Sequence, residues 1–449
     1  MGHLMNKVLA FVLIATCSLS VLSQNKDNLD ESSVIPYKIK AGDTFNKVAQ
    51  KYLQLPVDMA AIQKVNQLKN INLLPVGSEL LIPRHIVKQS PSKASVMSLS
   101  CATPIRVANS PKPLAVSAVI LEGTIIEVPP ECHVSLLLED GSIIRLPSSA
   151  ALKITTLRKN ALETAPEVRL DLTHGRIELD VNKGRAKTTP FEIRTPLSIM
   201  GVRGTEFRVG YSPEDNAGQV EVLGGIVQTR GRADAQARSI TKGLGVPIDG
   251  DGKALGIEKL LAPPAFESAQ ATAGTQPSFV AKLSTVPLAN YYVADSANTA
   301  NLTGNRSSQN LLAPELFIPR VTKQATFYQL TSVSASGLVG TERHYAFCAA
   351  PNDGKQARCS TMFDAPLADG VPISFTLSRV TDGATQTLVN TDNLQARNGR
   401  FAIQGLPAGQ YSWTLSYSMS KMSDTSANDT VIRQSGSFDL IPLSASLKP

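Results

Sequence analysis

The feature that most restricts this chain is a period of two. Apolar residues fall at Val134, Leu136 and Leu138, stop at Asp140-Gly141, and resume at Ile143. They fall again at Val168, Leu170 and Leu172, and beyond His174-Gly175 at Ile177, Leu179 and Val181. Successive side chains of a strand point to opposite faces, so this spacing gives each segment one apolar face and fits no helix. Asp-Gly between two such runs is a strong hairpin turn, and His174-Gly175 reads as a second turn of the same kind. Composition agrees, because 30 Gly and 28 Pro against 18% charged and 5% aromatic residues favour turns and strands over long helices. A chain of 449 residues has room for several such units. The expected fold class is mainly β and multidomain.

The N-terminus and the cysteines bear on compartment. Lys7 precedes an apolar run from Val8 to Ile14 that relaxes through small residues to Val21-Leu22-Ser23, the layout of a secretory signal over residues 1–23. That stretch is too short and too rich in Ser for a span, which takes about 20 apolar residues, and no later segment offers one. Beyond it stand Cys101, Cys132, Cys348 and Cys359, two pairs close in sequence. In an exported chain they are expected to form Cys101–Cys132 and Cys348–Cys359, although four cysteines allow three connectivities. The expected location is the periplasm, the cell envelope or the cell surface. The net charge of +7 is scattered, with no basic run to track a phosphate backbone, so nucleic acid is not an expected partner.

Residues 36–84 follow a different pattern. Tyr37-Lys38-Ile39 starts as a strand, and Gly42-Asp43-Thr44 offers a turn and a helix cap. Phe45, Val48, Ala49 and Tyr52 then recur at helical spacing until Pro56. Asp58 to Val65 fits a second helix, and Leu80-Leu81-Ile82-Pro83 a returning strand. Together with Asn66 and Gly77 these residues closely resemble the LysM motif, with Phe45 where Leu is commoner in that family. The resemblance implies a small βααβ module that binds N-acetylglucosamine-containing glycan, in peptidoglycan or chitin, in a groove between two loops. Carried onto this chain, the groove takes Gly42, Asp43, Thr44 and Phe45 from the first loop and Ile71, Asn72, Leu73 and Leu74 from the second. An acetamide and a pyranose face ask for backbone hydrogen bonds and apolar contact rather than charge. The plainer alternative is that Asp43 or Thr44 caps the helix and Gly42 turns the chain.

Residues 85–114 are rich in Ser, Pro, Lys and Ala and read as a linker, tied to the next domain at Cys101. The strand-rich region 115–250 contains Thr195-Pro196-Leu197-Ser198-Ile199-Met200-Gly201-Val202-Arg203-Gly204-Thr205-Glu206-Phe207, which resembles the signature of the FecR family. Val220-Glu221-Val222, Gly224-Gly225 and Val227 are similar to that family's next hairpin. The resemblance implies an all-β periplasmic domain, either a sandwich or a short solenoid. It places Gly201, Arg203, Gly204 and Thr205 at a turn between strands, where the glycines take unusual backbone angles and Arg203 anchors a carboxylate or carbonyls. An anion site at these glycines is the competing reading. Further on, Thr326 to Gly340 resembles a fibronectin type III hairpin. Phe401 to Leu415, through Gly405, Pro407, Gly409, Tyr411 and Trp413, resembles the turn and strand of immunoglobulin-like or fibronectin-like modules. Two such modules are expected, over 263–350 and 360–445, with Trp413 in the core.

No catalytic set is legible. His85, His133, His174 and His344 lie far apart, without a nucleophile or paired carboxylate in frame. Asp249-Gly250-Asp251-Gly252 is followed by Lys253 where a calcium loop needs oxygen. No enzyme activity, metal or cofactor is therefore expected. The favoured expectation is an envelope protein that holds peptidoglycan or a chitin-like glycan through LysM and presents its other domains as scaffold or as surfaces for envelope proteins. The alternative, carried by the FecR resemblance, is a periplasmic sensing or signalling component acting through a separate partner.

Overall fold

The computed structural model describes residues 33–107, 112–186, 188–272, 276–303, 306–351, 356–365, 371–381, 383–418 and 431–444. The expected signal segment, residues 1–23, lies outside them. The first unit is βααβ: strand Val34–Lys38, helices Phe45–Tyr52 and Met59–Asn66, and strand Glu79–Pro83, the two strands antiparallel with Tyr37 opposite Leu80. Each helix begins where a side chain accepts an orphan backbone donor: Thr44 from Lys47 N, and Asp58 from Ala61 N. Gln67 in the left-handed region ends the second helix. Asn66 then ties helix to strand, donating to Ile62 O and Leu81 O and accepting from Leu81 N at 2.7 Å.

The small core of this unit holds Ile35, Tyr37, Phe45, Val48, Leu53, Ile62 and Ile82, and it also takes Ile86 and Val87, with Leu162 packed against it. A boundary at residue 84 would cut through that core. Arg84 fixes the junction by gripping Glu163 with two hydrogen bonds, at 2.5 and 2.9 Å. Burial would raise the Glu163 carboxyl, but hydrogen bonds from Arg84, Asn160 and Thr189 hold it below the ordinary range.

The linker expectation for 85–114 is corrected by the structure. Gln89–Pro91 pairs with Ala150–Asn160, and Ala94–Ser100 pairs with His133–Leu138, so both belong to the next domain. Ala94 and Val96 are buried while serines alternate with them, and the polar composition hid a strand of period two.

That domain is a sandwich of two sheets rather than a solenoid. One sheet runs through Arg238–Thr241, Ile226–Gly231, Ser198–Val202, Phe191–Arg194 and the first half of Glu167–Asp180 to Ala150–Asn160. The other runs through Ala94–Ser100, His133–Leu138, Ile143–Leu146, the second half of Glu167–Asp180, Glu206–Ser212, Ala217–Gly224 and Leu244–Ile248. Their inner faces share one core that includes Leu136, Leu152, Leu170, Ile177, Leu179, Phe207 and Val220. Asp140-Gly141 turns between the paired strands His133–Leu138 and Ile143–Leu146, as expected.

His174-Gly175 does not form a turn. Glu167–Asp180 is one strand, bulged near Leu172 and bent at Gly175, and it passes from the first sheet to the second. Gly175 has φ +82, and a Cβ there would lie 2.3 Å from Ser149 O. The same correction applies at Gly224-Gly225. Ala217–Gly224 pairs in one sheet and Ile226–Gly231 in the other, so the chain crosses instead of folding back.

In the C-terminal half the stretches expected as two modules, 263–350 and 360–445, share one sheet. Ser307–Leu311, Ala289–Ala297, Thr326–Ser334 and Val339–Ala349 continue through a parallel pair into Val431–Leu443, Gly409–Ser418, Pro372–Thr381 and Ala384–Gln395. Shorter sheets face each half: Phe266–Ala271, Phe279–Leu283 and Glu315–Ile318 over the first, Cys359–Asp364 with Arg400–Leu406 over the second. Tyr411 Oη donates to Pro407 O at 2.7 Å, a corner contact typical of immunoglobulin-like sandwiches. Trp413 is buried with Phe363, Phe375 and Phe401. Both disulfides form as paired in the sequence, Cys101–Cys132 and Cys348–Cys359. No helix among the described residues is long and apolar enough to cross a membrane.

Candidate functional site

The two loops carried over from the LysM motif lie side by side. Ile39 joins them: its N–H donates to Ser78 O and its carbonyl accepts from Gly77 N, both at 2.9 Å. Gly42 turns the first loop at φ +85, exposed, with open space where a Cβ would stand, and Lys47 Nζ donates to its carbonyl at 3.0 Å. Asp43 is occupied internally, its Oδ2 accepting from Lys40 N and from Tyr37 Oη, each at 2.8 Å. Those bonds, the Lys40 backbone first, hold its carboxyl below the ordinary value. Burial and the Asp43 carboxylate push the Tyr37 hydroxyl up to about 12.

Of the eight groove residues, the structure puts Phe45 and Ile71 in the core, at 3% and 4% exposure. Thr44 caps the first helix. Gly42, Asn72 and Leu73 face solvent, and Leu74 is half-buried. Asn72 N is folded back onto Asn70 Oδ1 at 2.9 Å, which shapes the tip of the second loop. Sequence reasoning missed Val76, which is 67% exposed beside Leu73 at 69%. Its signal was present, since an apolar residue between Pro75 and Gly77 sits in a turn where nothing buries it. Leu73 and Val76 thus stand exposed on the second loop, and the turn at Gly42, whose carbonyl takes the Lys47 ammonium, is exposed on the first.

The glycine motif of the sandwich is built differently. Ser198–Val202 lies in one sheet and Glu206–Ser212 in the other, so Arg203, Gly204 and Thr205 form a corner between sheets. Gly204 has φ +58, and a Cβ there would come within 2.9 Å of Lys183 Cα. Gly201 differs from the expectation, for it is an ordinary strand residue with free space at its Cβ position. Arg203 Nε donates to Arg185 O at 3.3 Å. The buried Thr205 hydroxyl reaches Arg203 O at 3.0 Å and Ile226 O at 2.9 Å, binding this corner to the one at Gly225.

The remaining singled-out residues serve the fold. Asp249 Oδ1 accepts from Asp251 N and Lys253 N, closing its own turn. His133 is buried in its strand, and burial first, then the Arg306 charge, pushes it down to about 4. His344 lies 3.3 Å from Glu342, whose carboxyl is held near 2 against its burial by His344 and Arg208.

Two family models match the chain, one described as LysM domain over residues 37–83 and one as FecR protein over residues 124–228. No curated protein matches it. Among solved structures, a candidate anti-sigma factor from Parabacteroides distasonis is 20% identical, with 30% of this chain and 59% of that chain covered and a TM-score of 0.25. The chain therefore spans less than two thirds of that protein's solved length. Chicken CNTN1 FN1–FN3 domains align over 55% of this chain and 96% of that chain, at 12% identity and a TM-score of 0.15. Likenesses at this level fix no fold. The family matches do agree with the geometry above, and the chain carries a LysM domain at 37–83 followed by a FecR domain at 124–228.

Proposed function

We propose that this is a non-catalytic envelope protein that holds N-acetylglucosamine-containing glycan, peptidoglycan in the first place, through its LysM domain. The carrying observation is that Leu73 and Val76 of the second loop and the turn at Gly42 of the first are all exposed, on two loops joined through Ile39. A sugar ring and an acetamide methyl fit such a surface, and loop backbone supplies the polar contacts. The FecR domain and the shared C-terminal sheet then serve as scaffold or as interaction surfaces for other envelope proteins. Two disulfides suit an oxidising, extracytoplasmic compartment.

The test is retention of the full chain on insoluble peptidoglycan and on chitin, beside a Leu73→Asp variant. Retention that persists at high salt and falls in the variant supports the reading; equal retention of both proteins removes the groove from it. The FecR match favours a second reading, a periplasmic sensor acting through a separate partner. Crosslinking in the envelope that captures a membrane regulator, with glycan retention absent, would select it.

A further inference from the structure

The net charge forms no run, yet it is unevenly placed. Residues 34–88 hold eight Lys and Arg against three Asp and Glu, which is five of the chain's seven net positive charges. Arg84 is spent on Glu163, and every lysine of the segment is exposed. Lys38 stands opposite Glu79 across the strand pair and is balanced there. Much of the remainder gathers at the first groove loop.

Lys40 lies in that loop, and Lys47 and Lys51 follow on the first helix, one turn apart. Side chains at that spacing are neighbours, and like charges there repel. Lys47 Nζ is drawn to the loop by Gly42 O at 3.0 Å, while Lys51 Nζ lies over the Tyr52 ring, 5.0 Å from its centre. Asp43 is the acid that all three feel. The Lys40 backbone and Tyr37, then the charges of Lys40 and Lys47, hold its carboxyl low, and Lys51 is raised by Tyr52 first and by Asp43 after it. That carboxylate is already committed, its Oδ2 to Lys40 N and Tyr37 Oη. Among the described residues none of the three ammonium groups is in a salt bridge. One carboxylate therefore serves three cations, and Lys69 adds a fourth just before the second loop.

Surplus positive charge beside a sugar groove asks for an anion that travels with the sugar. Chitin carries none. Peptidoglycan repeats the same N-acetylglucosamine but hangs stem peptides from its chain, and their free carboxylates stand beside the rings. Lysine offers a compact charge on a flexible stem, without the fixed fork of arginine, which suits carboxylates whose positions vary from stem to stem.

We propose that Lys40, Lys47 and Lys51 form a subsite beside the groove for the carboxylates of peptidoglycan stem peptides, so that the domain takes peptide-bearing glycan over chitin. This rests on the glycan reading and adds which glycan is preferred and by what contact. Exposed ion pairs are individually weak, so the preference should be about three- to tenfold rather than absolute.

Calorimetry on the full chain with three soluble ligands of equal sugar length tests it: a chitin oligomer, a peptidoglycan fragment with its stem peptides, and that fragment with its carboxylates converted to amides. At low salt the acid fragment should bind about three- to tenfold more tightly than the amidated one, and the ratio should fall toward one at high salt. The variant Lys40→Gln, Lys47→Gln, Lys51→Gln should hold the ratio near one at every salt concentration. A ratio near one in the parent, or a full ratio kept by the variant, overturns the subsite and leaves the glycan reading standing wherever the chitin oligomer still binds. If none of the three ligands binds, both fall. Phosphatidylglycerol vesicles that bind more tightly than the acid fragment, and lose that binding in the variant, would overturn the subsite by making these lysines a phosphate surface. Should the variant fail to fold, the parent decides, because an acid-to-amide ratio that salt does not change refutes recognition by charge.

Discussion

The LysM domain and the body behind it both turn on glycines, and the two sets are held in opposite ways. Gly42 has φ +85 and nothing within 4 Å of its missing Cβ. Gly204 has φ +58 and a neighbouring backbone carbon 2.9 Å from that point. The first is a surface turn whose surroundings do not depend on it. The second is a corner against which another segment of chain is packed. The contrast extends to cores: the LysM core takes one side chain from afar, Leu162, whereas Met97, Leu137 and Ile143 of the body share a cluster with Trp413. Arg208 crosses the same boundary to donate to Gly340 O at 3.0 Å. A unit closed over its own sequence should tolerate local change; a body whose modules complete one another should fail as a whole.

The largest test of that contrast removes a crosslink from the body. Replacing Cys101 and Cys132 by Ser opens a loop whose ends are 31 residues apart, and chain entropy predicts a loss of about 3 to 4 kcal/mol. Urea unfolding followed by Trp413 fluorescence should show it even though Trp413 lies far along the chain from the crosslink. An unshifted Trp413 transition would mean that the modules unfold separately and would break the comparison.

Acid should act on the same side of the divide. His133 has a folded pKa of about 4 against an ordinary 6.5, because burial and Arg306 disfavour its charged form. A depressed pKa means that the unfolded state binds the proton more tightly, so the contribution is intact above 6.5 and lost as pH falls toward 4. From pH 7 to 4.5 the body should lose about 2 to 3 kcal/mol, before Glu342, held near 2, adds its own loss below 4.5. His133→Gln should flatten that window; an equally steep loss in the variant would assign it to other groups.

How much of this was legible in the sequence follows the same divide. In the LysM domain each cap, turn and helix face is specified by neighbours a few residues away, so Thr44 and Gly42 announced their roles, while Asp58, expected inside the second helix, caps it instead. In the body, period two identified strands correctly and said nothing about which sheet a strand joins. Gly175 and Gly225 therefore read as hairpin turns, although a glycine that lets a strand bend between sheets leaves the same trace in sequence as one that reverses it. Ala94–Ser100 was hidden because serine serves equally well on a strand's outer face and in a linker. The groove was legible as a location and not as a surface: Phe45 and Ile71 belong to the motif because they hold the loops from beneath, and Val76 became visible only when burial was known.

Gly204→Val makes the corner itself the subject. A β-branched residue at φ +58 must strain or move, and its Cβ meets Lys183 Cα, so a loss of about 2 kcal/mol is expected, measured as a lower urea midpoint at unchanged slope. Arg203→Ala should cost less, because Arg203 is exposed and gives up one 3.3 Å bond. A Gly204→Val protein as stable as the parent would show that the corner yields as easily as a surface turn.

The smallest effect is expected at the glycan groove, and there it should appear in binding instead of stability. Gly42→Val faces open space, so no neighbour has to move; strain at φ +85 costs about 1 kcal/mol or a little more and distorts the first loop. Leu73→Asp puts a charge on a side chain that is already 69% exposed, so folding should be nearly indifferent to it. A single shallow groove is expected to bind in the micromolar to millimolar range, roughly 4 to 8 kcal/mol. Losing that apolar contact should weaken binding by about 1 kcal/mol, a several-fold shift in Kd on soluble N-acetylglucosamine oligomers. Because the contacts are uncharged, that affinity should change little between low and high salt, whereas adhesion through the net charge of +7 would fade over the same range. Salt-sensitive binding that Leu73→Asp leaves intact would move recognition from the groove to the general surface, and the LysM domain would lose the independence from the body that this contrast assigns to it.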